Sequence, residues 1–252
     1  MEEHDHFKGK APLKHIVEVQ SSGIATSSEV HGAETPGVLF AFLDSLRESM
    51  FLVGFFALIT LFMPFSITEI GVLLGALLLG YALWRGGRSV HLAYFRLERL
   101  HRVASEEKHE IETNRTQERE ELKALYQIKG FEGKLLDQVV DVLMADNERC
   151  LRVMLEEEMG FRLNENEHPI IQGAGSFLGV VVAYLLTVSI FLLLGINSVI
   201  GAALVVSAIS WGVSAYKEKN RVVPALVWGA SIAGACLLIA YFLLKAFLLR
   251  AA

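Results

Sequence analysis

Cysteine is almost missing from this chain: Cys150 and Cys236 are the only two in 252 residues. The first lies among charged residues and the second inside an apolar run, so a disulfide framework is not expected. No phosphate-binding loop of the Gly-x-x-x-x-Gly-Lys-Ser/Thr type occurs, which argues against ATP-driven pumping. A Gly-x-Ser-x-Gly elbow and a Cys-x-x-Cys pair are absent as well. No basic patch with interleaved aromatics is present, and the net charge is -5, so nucleic acid is not an expected partner. The first 36 residues are polar and lack the short apolar core of a secretory signal. Membrane insertion then has to rest on internal segments.

Those segments are what the chain has in abundance. It is 53% hydrophobic and 20% charged, with a mean hydropathy of +0.43. The acids concentrate in residues 98–167, so the average combines two materials. Apolar runs at 37–64, 67–84, 170–196, 199–215 and 222–244 are each candidates to cross a hydrocarbon core about 30 Å thick, which takes about 20 residues. The expected fold is all-α: a five-span membrane helix bundle (37–85 and 169–249) behind a tail, 1–36, that reads as flexible. A helical domain, 86–168, is inserted between spans two and three.

Lys and Arg are absent from the turns 64–68 and 195–198 but present as Lys217, Lys219 and Arg221, and throughout the insert. The positive-inside rule then predicts that the N-terminus and the insert are cytoplasmic and the C-terminus is outside. Gly71-x-x-x-Gly75 and Gly175-x-x-x-Gly179 have the small-residue spacing that permits close helix packing.

The insert has helical periodicity throughout. Span two is predicted to continue as one helix to about Glu112, with a bend at Gly86–Gly87. A helix from about Gln117 to Ile128, N-capped by Asn114 or Thr116, ends at Gly130. An apolar stripe from Leu135 to Met144 follows, then after Asp146 a last helix to Met159, stopped by Gly160. On these helices lie Glu107-x-x-Glu110, Glu118-x-x-Glu121 and Met154-x-x-x-Glu158. Residues three or four apart share a helix face, and paired carboxylates repel unless protonated or bridged by a cation. Oxygen donors with one thioether suit a divalent ion such as Mn²⁺ or Fe²⁺. The alternative is a solvated acidic face, the expected lot of Glu106, Glu112, Glu120, Glu156 and Glu157; Met154 by itself fits a core position.

In span one, Asp44 and Glu48 are four apart, beside Arg47. Ionisable groups within a span cost about 2.5–3.5 kcal/mol each and are usually functional, but a charged lead-in at the membrane surface is the competing reading. Arg85 reads either as a surface anchor or as an ion-pair partner. His4-Asp5-His6 has weak chelating character. Glu106-x-x-His109 and Glu165-x-x-His168 have a di-iron spacing, although the second sits in a non-periodic stretch.

The segments EREELKALYQIKGFE and VMLEEEMGF resemble the metal-binding domain of the vacuolar iron transporter family. The resemblance implies a five-span dimeric exporter that moves Fe²⁺ or Mn²⁺, as substrate, out of the cytosol in exchange for protons, with no organic cofactor. In ungapped register it implies metal ligands at Glu107, Glu110, Glu118, Glu121, Met154 and Glu158. It also implies a translocation path near Asp44 or Glu48, with Arg85 standing where the family carries a methionine. Leu155 replaces a second methionine, and span three lacks the family's prolines. A membrane-anchored metal buffer or sensor without transport is the alternative function. A bacterial inner membrane or an organellar membrane fits equally.

Overall fold

The computed structural model describes residues 37–63, 65–160 and 168–251, and among them every regular element is a helix. Helices α1 (Val38–Thr60) and α2 (Ile67–Thr113) come first. Then follow α3 (Arg115–Ile128), α4 (Gly133–Met144), α5 (Asn147–Val153) and a π-helical turn, Met154–Glu158. Helices α6 (Pro169–Leu194), α7 (Ile196–Lys217) and α8 (Val222–Ala251) complete the chain. The described residues form two compact units, one of 37–93 with 168–251 and one of 94–160.

In the first unit, α2, α6, α7 and α8 are long and apolar enough to cross a membrane. Helix α1 does not join them on that measure, because every 18-residue stretch of it holds Asp44, Arg47 and Glu48. Large apolar side chains cover the outside, Ile67, Leu79, Leu83, Leu193 and Phe247 among them, a surface suited to lipid rather than water.

Helix α1 lies chiefly against α6 and α7, and α8 lies against α7. Small residues set that packing. A Cβ on Gly179 would come 2.3 Å from the Phe42 carbonyl oxygen, and one on Gly175 would come 2.6 Å from that of Val38. The second of the two glycine motifs therefore brings backbones together. The first does not: a Cβ on Gly71 meets nothing within 4 Å, and on Gly75 only the Tyr184 hydroxyl. Hydroxyls add to the clasp on α1, where Ser210 Oγ donates to the Leu43 carbonyl at 2.8 Å and Ser176 Oγ to that of Ala41 at 3.3 Å.

Local chemistry explains the ends of the elements. Ser66 and Glu69 form a reciprocal cap at the start of α2. Gly195, at φ 84°, is the whole connection between α6 and α7, a left-handed position that other residues resist. The expected bend at Gly86–Gly87 is not needed, since α2 runs unbroken through both. Gly86 is instead a packing site against the Gly173 carbonyl and Phe177. Helix α6 is also unbroken, its one proline at the first turn, where no backbone donor is lost.

In the second unit, Ile111, Leu122, Leu136, Val140, Met144, Cys150 and Met154 form the core. Asp146 caps α5 by accepting from the Glu148 and Arg149 amides. Gly130 and Gly160 take positive φ just beyond the helix ends, where sequence reading placed the stops. Asn114 holds the N-cap position of α3 without a side-chain cap bond.

Candidate metal centre

In the insert, the carboxylates lie on the helix faces that also carry the core. Glu107 is one turn before Ile111 on α2, Glu118 one turn before Leu122 on α3, and Glu121 one turn before Leu125. All six of these side chains are buried, the carboxylates being only 4%, 0% and 1% exposed for Glu107, Glu118 and Glu121. Glu158 is 4% exposed and Met154 is 1% exposed, a member of the core. Glu110 is half-buried. By contrast Glu106, Glu112, Glu120, Glu156 and Glu157 are exposed, as expected for solvated acids. The solvated-face reading is therefore set aside for Glu107, Glu118, Glu121 and Glu158: these acids are inside.

Burying an ionised carboxylate is costly unless positive charge or hydrogen bonds compensate it. Several basic residues of this unit pair elsewhere: Arg119 with Asp141 at 2.6 Å, Lys123 with Asp137 at 2.5 Å, and Lys129 with Glu157. Arg115 donates to Asn147 Oδ1 and to the Met144 carbonyl. These links tie the exposed side of α3 to its neighbours. As it stands, no group of three or more His, Cys, Asp or Glu side chains among the described residues is arranged to hold a metal ion.

Met154 and Glu158 bound the π-helical turn, where the Met159 amide reaches back to the Met154 carbonyl at 3.1 Å. Sequence reading took this stretch as ordinary α-helix. Such single π turns concentrate at functional sites, and no periodicity announces them. Cys150 was also missed as a neighbour of the acids. Burial, then the negative charges of Glu118 and Glu107, push its thiol up to about 12. Its sulfur lies 3.6 Å from that of Met144.

In the apolar unit, Asp44, Glu48 and Arg85 meet in one network. Arg85 Nη2 is 2.6 Å from Asp44 Oδ2 and its Nε is 3.1 Å from Glu48 Oε2. Asp44 also accepts from Arg47 Nε at 2.8 Å, and the Arg47 guanidinium lies 4.3 Å from the Trp211 ring centre. Tyr81 donates to Glu48 at 2.5 Å. Of the two sequence readings of Arg85, this is the ion-pair partner, and the side chain is 3% exposed. Tyr81 and Trp211 were not foreseen, because aromatic residues in apolar spans look like any lipid-facing or packing residue. A cavity of about 360 Å³ opens beside this network.

Other candidates fall away. His168 Nδ1 accepts from the Ile170 amide and caps α6, while Glu106 and His109 are exposed. Glu165, like His4-Asp5-His6, lies outside the described residues.

A family model described as the VIT family matches residues 96–243. The chain belongs to the VIT family, the vacuolar iron transporters. As a VIT protein it is an integral membrane protein concerned with metal-ion transport, and its family comprises transporters rather than enzymes. The match covers all six insert ligand candidates and ends short of Asp44, Glu48 and Arg85. No curated protein and no solved structure matches the chain.

Proposed function

We propose that this VIT protein exports divalent iron or manganese from the cytosol. Its insert gathers the ion through Glu107, Glu110, Glu118, Glu121, Met154 and Glu158, and passes it to a path at Asp44 and Glu48. The single observation that carries this reading is the burial of Glu107, Glu118, Glu121 and Glu158 inside a small helical unit of a metal-transport family. Buried acids of one sign favour either protons or a cation. Protons and metal then compete for the same oxygens, which is the physical basis of antiport. Helix α1 is a fifth span whose charges face other helices rather than lipid. The Lys217, Lys219 and Arg221 turn and the insert both face the cytosol. Two copies form a dimer, in a bacterial inner membrane or an organellar one.

The test is uptake of Mn²⁺ and Fe²⁺ into vesicles carrying the full chain. Asp44→Asn and Glu48→Gln should each stop flux while leaving equilibrium metal binding in place. Glu118→Gln with Glu121→Gln should weaken binding, and binding should fall as the pH drops below about 5, where carboxylates take up protons. Wild-type binding without any flux favours the second reading, a membrane-anchored buffer or sensor. What supports that alternative is Arg85, a fixed positive charge lodged between the two path acids.

A further inference from the structure

We propose that Arg85 is a tethered counter-ion that holds the cation's place between Asp44 and Glu48, and that a divalent metal ion binds there only by displacing it. The inference rests on the reading of Asp44 and Glu48 as the membrane path.

One planar guanidinium reaches two carboxylates a single turn apart on α1, the bridging geometry of an ion held between two acids. Among the described contacts, two carboxylates, Asp44 and Glu48, face two guanidiniums, Arg47 and Arg85. A dication arriving at this place is attracted by the acids and repelled by the adjacent arginines. Arginine keeps its proton under all ordinary conditions, so the positive charge leaves only by movement of the side chain.

The network is built unevenly. Asp44 is held by both arginines and is 25% exposed, whereas Glu48 is 46% exposed and is held by Arg85 and Tyr81. Both acids line the cavity, together with Arg47, Tyr81, Ser207 and Trp211. An incoming ion therefore meets Glu48 first. Its charge weakens the Arg85–Glu48 contact, and the cavity has room for the released guanidinium. Arg85 then sets which ions pass: only one that binds two carboxylates more strongly than a guanidinium does will take the place.

The experiment uses the full-length chain carrying Glu107→Gln, Glu110→Gln, Glu118→Gln, Glu121→Gln and Glu158→Gln, so that Mn²⁺ titration reports the membrane acids. Adding Arg85→Gln should tighten Mn²⁺ binding at least tenfold. Arg85→Lys should fall between, because an ammonium keeps the charge but lacks the planar fork of a guanidinium. Unchanged or weaker binding in a folded Arg85→Gln protein overturns the proposal. Where these variants do not fold, phenylglyoxal labelling of the wild-type chain decides: Mn²⁺ should increase modification of Arg85 as read by mass spectrometry, and unchanged labelling or protection overturns the proposal. Flux that depends on Asp44 and Glu48, with Arg85→Gln affinity unchanged, overturns the counter-ion alone. Metal-driven labelling of Arg85 without flux upholds it and overturns the export reading.

Discussion

Two parts of this molecule hold groups of carboxylates and treat them in opposite ways. In the apolar unit, Asp44 and Glu48 are matched at hydrogen-bond distance by Arg85, Arg47 and Tyr81. In the insert, Glu107, Glu118, Glu121 and Glu158 are more completely buried, while Arg119, Lys123 and Lys129 serve acids on the surface. The first arrangement sets arginines directly against its acids. The second buries several acids within one small helical unit, and acids brought together favour protons or a bound cation. The difference separates acids that face arginines across helices from acids drawn into a helical core.

The contrast is broken most directly at Asp44. Asp44→Ala removes the carboxylate that lies 2.6 Å from the buried Arg85 guanidinium, and should cost about 3–5 kcal/mol in unfolding of the full chain in detergent, as expected when a buried pair loses one member. A loss near zero would mean that the network is not holding the guanidinium. Next, Mn²⁺ at a hundred times its dissociation constant should stabilise the wild-type chain by about 2.7 kcal/mol. Glu118→Gln with Glu121→Gln should remove most of that gain in thermal shift. A gain retained in full would move the gathering site away from the insert.

Packing in the apolar unit can be tested separately from its charges. Gly179→Leu forces a side chain onto the Phe42 carbonyl and should cost about 1–3 kcal/mol. Gly71→Leu, in open space, should leave the melting temperature unchanged. The smallest effect belongs to the insert surface. Lys123 holds the Asp137 carboxyl below its ordinary value, so the pair's contribution is present above the unfolded carboxylate range near 4 and is lost as the pH falls through the lower folded value. Asp137→Asn should flatten that acid limb slightly, and high salt should hide the difference.

Much of the helical layout was legible in the sequence. The long continuation of α2 to Thr113 and the stops at Gly130 and Gly160 follow from periodicity and end chemistry. The apolar runs predicted α6, α7 and α8 within a few residues at their starts. Less was legible at the sites. Spacing put Glu118 and Glu121 on one face of a helix, but a solvated face has the same spacing. The π turn at Met154–Glu158 left no periodic trace. Of two identical glycine motifs, only the one on α6 meets a partner backbone.

Hydropathy, helical period and the family pattern, all properties of neighbouring residues, were settled by the sequence itself: a membrane protein of helices with an acid-rich insert, in the VIT family. Whether an acid ends inside or outside, and which cation meets it, depends on what packs over that face. Arg85 and Asp44 are joined across 41 positions of chain, a separation that local patterning does not register. Only the tertiary structure decided that Glu118 is buried and that Arg85 faces two carboxylates, because desolvation and ion pairing are set by distance in space rather than along the chain.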